Sequence, residues 1–177
     1  YRTHWRSGYD EALRAGTVSQ AMLEAILSHH ERFDGSGFPD HLSGREIPLA
    51  ARIVAIANRF DNLVNPVDYR HALSPSEALA TMWAREKTRF DPGLLGLFVR
   101  TMGVYPPGSI VQLSDGRIGA VAGSAPDAKP LSPLVTIYAP EVPRQQAILV
   151  DLANDEGLVI ERSLRLQHRS PDELDYL

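Results

Sequence analysis

The chain of 177 residues has no cysteine, which excludes a disulfide framework, a thiolate zinc site and a cysteine nucleophile. Lysine is nearly absent too: Lys87 and Lys129 are the only lysines among 18 basic residues, a bias of composition rather than of chemistry. No apolar run reaches the roughly 18 residues of a membrane-spanning helix. The net charge of −4 argues against general nucleic-acid binding, although an arginine-lined pocket stays open to the sequence. No initiating methionine and no signal peptide stands at the start, so the chain reads as a piece of a longer cytoplasmic protein. What is present is ordinary for a globular chain: 44% hydrophobic and 23% charged residues, enough for one domain and a small appendage.

Two grammars divide the sequence. In the first hundred residues, apolar positions recur at helical spacing between marked ends. Thr17 and Gln20 form a capping-box pattern before a face of Val18, Met22, Ala25, Ile26 and His29. Pro48 precedes Leu49, Ile53, Ile56, Ala57 and Phe60 at spacings of three and four. Ser74-Pro75-Ser76-Glu77 opens a helix running to about Arg85, and Asp91-Pro92 opens another that Gly103 ends. Between His30 and Pro48 lies a loop rich in Gly, Asp, Ser and Pro. From Tyr105 short strand-like runs take over: Ser109–Leu113 and Arg117–Val121 around Asp115-Gly116, then Leu134–Tyr138, Ala147–Leu152 and Leu158–Leu164. Residues 103–177 carry the whole acidic excess. The expected architecture is therefore α+β, an all-helical region over 1–103 followed by a small β-rich subdomain over 104–177, an antiparallel sheet or partly closed barrel of five strands. The acidic end, Ser170 to Asp175, reads as a capped turn or a solvated tail.

The segment richest in chemistry is His29-His30-Glu31-Arg32-Phe33-Asp34-Gly35-Ser36-Gly37-Phe38-Pro39. Adjacent histidines at a helix end point about 100° apart and can serve neighbouring metal ions or two sides of one cluster. They can equally cap the helix C-terminus, where imidazole meets exposed carbonyls. The glycine-dense loop beside them favours the metal reading. His71 and His168 read as surface residues, and His41 sits in the loop without an assigned role.

This segment resembles the signature of the HD-GYP domain family: two histidines, an acid, an aspartate-glycine pair and a Gly-Tyr-Pro. The likeness continues through Leu42–Pro48, Ala51–Ala57, Phe60–Leu63, Tyr69-Arg70, Ala72–Pro75 and Phe90–Pro92. It implies an all-helical, metal-dependent phosphodiesterase that hydrolyses the bacterial second messenger cyclic di-GMP, with iron or manganese as the expected cofactor. His29, His30 and His4 match metal-ligand histidines, His4 opening the preceding helix. Asp34, Gly35, Gly37, Phe38 and Pro39 match the signature loop, with Asp34 orienting the loop or forming an Asx turn. Arg70 matches a phosphate-contacting residue, and Tyr69 stacks on a guanine or packs.

The departures weigh as much. The His-Asp pair that names the family, and the lysine after it, fall before the first residue. Asn58 stands where a ligand aspartate is expected; its amide oxygen can coordinate a metal but brings no negative charge. Alternatively, Asn58 is a hydrogen-bonded polar residue between helices. Phe38 replaces the tyrosine, and Val67 replaces an arginine that would clamp a phosphate. Three functions stay open: an impaired phosphodiesterase fragment, a degenerate module that senses the nucleotide or binds a protein such as a diguanylate cyclase through Gly37-Phe38-Pro39 and the β-rich tail, or a hydrolase of another phosphoester.

Overall fold

The structure is a computed structural model that describes residues 4–123, 131–155, 157–165 and 170–176. Six α-helices and five strands follow in order: α1 His4–Ala15, α2 Gln20–Ser28, α3 Leu49–Val64, α4 Pro75–Arg85, α5 Pro92–Met102, β1 Ile110–Leu113, β2 Ile118–Gly123, β3 Leu134–Ile137, β4 Leu149–Asp151, β5 Ile160–Leu164 and α6 Pro171–Tyr176. Helices first and an antiparallel sheet after them make the α+β class the sequence predicts. No helix among the described residues is long and apolar enough to cross a membrane.

The chain forms two compact units. One takes the residues up to Asp61 together with Thr81–Phe98; the other takes Asn62–Ala80 together with the residues from Val99 onward. In the first unit α1 packs on α2, with Gly8 placed so that a Cβ there would meet Ile26 Cγ2 at 3.7 Å. The capping residue of α2 is Ser19, whose hydroxyl accepts from Met22 N at 3.3 Å, in place of the predicted Thr17. The buried side of α2 is Leu23, Ala25 and Ser28, and Met22 faces outward. On α3 the buried residues are Ala51 and Ile56, while Leu49, Ile53 and Ala57 of the predicted apolar stripe are exposed. Periodicity finds the apolar face of α3, but which of its residues are covered is set by the neighbouring elements. Ion pairs among the described residues of this unit include two from α3. Arg52 Nη1 meets Asp91 Oδ2 at 2.8 Å, and the Arg59 guanidinium grips Glu86 through Nε at 2.8 Å and Nη2 at 2.7 Å.

Local signals set the second unit. Ser74 and Glu77 form the reciprocal capping box, Ser74 N donating to Glu77 Oε2 at 3.0 Å and Glu77 N to Ser74 Oγ at 3.3 Å. Gly103 closes α5 at φ 74°, donating to Val99 O at 3.2 Å, a left-handed cap that glycine adopts without Cβ strain. The five strands make one sheet of order β4-β3-β2-β1-β5, every pairing antiparallel. Alternation selects the buried set: Val111 and Leu113 from β1, Val121 from β2, and Val135 and Ile137 from β3, closed by Leu152 and Leu158. In the β1–β2 turn Gly116 lies at φ 87° and donates to Leu113 O at 2.9 Å. The chain's end forms a short capped helix, Ser170 N donating to Glu173 Oε2 at 2.8 Å.

Candidate metal centre

Three imidazoles converge in the helical unit: His4 from the first residue of α1, and His29 and His30 from just past the end of α2. Their candidate ligand nitrogens all lie within 4.8 Å of one another. His30 Nε2 is 3.0 Å from His4 Nε2, so one ring donates its N–H to the other. A cation held by both His4 and His30 would take that proton's place and accept a lone pair from each ring.

His29 is tuned for the same task. Its Nδ1 is 2.8 Å from the carbonyl oxygen of Ile26. A carbonyl only accepts, so Nδ1 carries the proton and Nε2 keeps its lone pair. That is the tautomer a metal ligand needs, fixed by an outer hydrogen bond. His30 is held neutral: burial first, then the neighbouring His29 and His4, lower its pKa from 6.5 to about 4. At neutral pH it offers a lone pair rather than a positive charge.

The signature loop folds back over His30. Phe38 stacks on the His30 ring, centroids 4.8 Å apart and planes 24° off parallel, and Phe38 N donates to His30 O at 3.3 Å. The Phe38-Pro39 peptide is cis. Gly37 is buried where a Cβ would lie 2.3 Å from Arg32 N and 2.4 Å from Glu31 Cα, so no larger residue fits. Gly35 takes φ 77° and donates to Arg32 O at 2.7 Å. Asp34 makes an Asx turn, its Oδ1 accepting from Ser36 N at 3.0 Å and Ser36 Oγ at 2.6 Å. These bonds, led by the Ser36 hydroxyl, hold its carboxyl below the usual range.

The remaining candidates sit apart in the chain. Asn58 lies half-buried on α3 and interacts with other groups of the protein. Tyr69 and Arg70 belong to the second unit and are largely exposed. The Arg70 guanidinium meets Asp68 through Nε at 2.9 Å and Nη2 at 2.7 Å. Val67 is 96% exposed. His71 is exposed as expected, and His168 lies outside the described residues. The donor set that the structure gathers is thus three imidazoles. Neutral nitrogen ligands fit one iron, manganese or zinc ion, and among the described residues no carboxylate joins the cluster. Sequence reasoning left Glu31, the acid directly after the histidine pair, without a role. Its carboxylate accepts from the backbone of the signature loop, Asp40 N to Glu31 Oε1 at 2.6 Å.

The HD domain family profile matches residues 4–94. A cyclic di-GMP phosphodiesterase of Pseudomonas aeruginosa is 35% identical over 120 residues, covering 68% of this chain and 29% of that protein. The cyclic di-GMP phosphodiesterase response regulator RpfG of Xanthomonas campestris pv. campestris is 41% identical over 102 residues, covering 56% of this chain and 26% of that one. A 3′3′-cGAMP-specific phosphodiesterase of Vibrio cholerae is 35% identical over 82 residues, covering 46% and 16%. The crystal structure of a cyclic GMP-AMP phosphodiesterase of V. cholerae covers 51% of this chain and 20% of its own at 33% identity, with a TM-score of 0.41. The chain spans less than a third of the length of these relatives. Matched across half its length, histidine cluster included, the chain belongs to the HD domain family.

Proposed function

We propose that the protein acts in metal-dependent phosphodiester hydrolysis of HD-GYP type, on a cyclic dinucleotide of the cyclic di-GMP class. The observation that carries this reading is the convergence of His4, His29 and His30 with His29 locked in the ligand tautomer. When bound, a divalent cation supplies charge for the phosphate and lowers the pKa of water. This chain's residues do the holding: His29 and His30 from the end of α2, His4 from the start of α1, and Phe38 against one face of His30. Arg70 and Tyr69 are the candidate contacts for the phosphate and a base, and Asp68 already neutralises the Arg70 guanidinium.

Three imidazoles without a carboxylate hold one cation better than two. With Asn58 where the resemblance implies an aspartate, the 177-residue chain by itself binds metal weakly and does not turn over cyclic di-GMP. A phosphodiesterase assay with added manganese or ferrous iron tests this, and robust turnover by this chain would sink it.

A second reading, a module that senses the nucleotide or binds a diguanylate cyclase through Gly37-Phe38-Pro39, is favoured by Asn58 and by the exposed Val67 in place of a phosphate clamp. Metal analysis of the full-length protein separates the two. Two or more equivalents support hydrolysis, whereas metal-free protein that still captures a cyclase supports the module.

A further inference from the structure

Glu31 is the most deeply buried charged side chain among the described residues, 2% exposed. It follows His30 directly, yet it is not one of the clustered ligands. Its two oxygens have separate surroundings. Oε1 accepts the Asp40 N–H at 2.6 Å, tying the far end of the signature loop back to its start. Oε2 has no hydrogen-bond partner among the described residues, and neither has Arg52 Nε. Both residues line a cavity of about 10 Å³ whose other polar residues are Arg89 and Asp91, beside the apolar Phe33, Ile47, Ala55 and Phe90. That volume suits one water, and an unpaired acceptor and an unpaired donor are what such a water bridges. Arg52 and Arg89 are thus cationic residues in the lining beside a carboxylate removed from solvent.

The loop that Glu31 closes has little freedom. Gly37 is pressed on the Glu31-Arg32 backbone, and Phe38 N is bonded to His30 O. The Asp40 N–H to Glu31 bond is the only one of these ties made by a side chain, and it spans nine residues.

We propose that Glu31 is a positioning residue, whose carboxylate anchors the signature loop so that Phe38 stays stacked on the His30 imidazole, with one water joining its second oxygen to Arg52. The inference concerns the loop; only its consequence for metal affinity rests on the function proposed above.

Two substitutions separate reach from charge. Glu31→Gln keeps an acceptor oxygen at the same reach and loses the charge. Glu31→Asp keeps the charge and falls one methylene short. In NMR spectra of the protein without added metal, the Phe38 ring shifts the His30 ring protons upfield, a signal identified by its loss in Phe38→Leu. The expected result is that Glu31→Gln keeps the upfield signal and Glu31→Asp loses it. In cobalt titrations Glu31→Asp loses about tenfold in affinity, the effect of an outer-shell partner, and Glu31→Gln stays within about twofold. The reverse order, with Asp keeping the signal and Gln losing it, overturns the proposal in favour of charge alone, and an unchanged signal in both overturns it outright. Should Glu31→Asp fail to fold, Glu31→Ala takes its place: loss of the signal there with retention in Glu31→Gln supports the anchor, and retention in both, or loss in Glu31→Gln, refutes it. If the parent chain binds no cobalt, the metal reading fails while the His30 signal still judges Glu31.

Discussion

The helical unit and the sheet-bearing unit use the same device for different ends. Each contains a glycine at which no Cβ fits. Gly119 sits in the sheet where a Cβ would approach Thr136 O to 2.5 Å and Val135 Cγ1 to 2.6 Å. Around it the buried set is a continuous apolar cluster from Val111 to Leu158. Gly37 sits in the helical unit against the Arg32 backbone at 2.3 Å, and the charged residues Glu31 and Glu86 are buried in the same unit. In the sheet, close approach lets two strands pair and stack apolar side chains. In the helical unit it presses a loop onto the Glu31-Arg32 backbone, with Phe38 stacked on the neighbouring His30 ring. Forbidden space alone therefore does not mark a functional glycine; the polar groups nearby do.

The sharpest test of that contrast is removal of a proposed ligand. His30→Ala should weaken cobalt binding by more than the ~10–100-fold typical of an outer-shell partner, with the sheet's circular dichroism unchanged. Next come the two glycines. Gly119→Ala and Gly37→Ala should each destabilise by about 1–3 kcal/mol through overpacking. Only Gly37→Ala should also lower cobalt affinity, so equal metal binding by both variants would erase the distinction drawn here.

Acidification probes the buried charges of the helical unit. The Arg59 guanidinium holds the Glu86 carboxyl below its ordinary 4.5, so the pair stabilises the fold above that pH and the contribution is lost as pH falls through the lower folded value. His30 acts in the same direction over a higher window. The unfolded ring takes up a proton near 6.5 and the folded one only near 4, so stability falls as pH drops between them. Urea midpoints measured across this range should show Glu86→Gln flattening the lower part of the slope and His30→Ala the upper part. A smaller effect is expected from Asn58→Asp, which should raise metal occupancy severalfold by adding a carboxylate; no change removes Asn58 from the site. Smallest of all, Arg165→Ala severs an exposed pair with Glu77 and should cost less than about 1 kcal/mol in thermal unfolding.

Features decided by a few neighbouring residues were legible in the sequence. The Ser74–Glu77 box, the Gly103 cap and the Asp115-Gly116 hairpin stand where short-range chemistry puts them. Features decided by distant packing were not. Helix α1 buries none of its residues fully and only half-buries Trp5, Gly8, Tyr9 and Ala12, too small a stripe beside a glycine to announce a helix, and only the family resemblance implied it. Helix α3 shows an apolar face, but which of its residues are buried is settled by its neighbours. At the site, His29 and His30 announce themselves by adjacency, while His4 needs its helix folded back on α2 to meet them. Glu31 is the hardest to read, because an acid in a glycine-rich polar loop looks solvated until the chain closes over it.

The pairing of Arg70 with Asp68 has a consequence for anything that would bind there. A carboxylate two residues away is a tethered competitor, present at an effective concentration of order millimolar or above, and Arg70 keeps it below its usual carboxylate range so that it stays ionised. A free anion must outbid that competitor before it gains the guanidinium. Singly charged buffer ions are poorly placed to do so, whereas a phosphodiester held elsewhere by its bases arrives with the same advantage of tethering. For any anion that meets this loop, its other attachments, more than its charge, would decide whether Arg70 is released from Asp68.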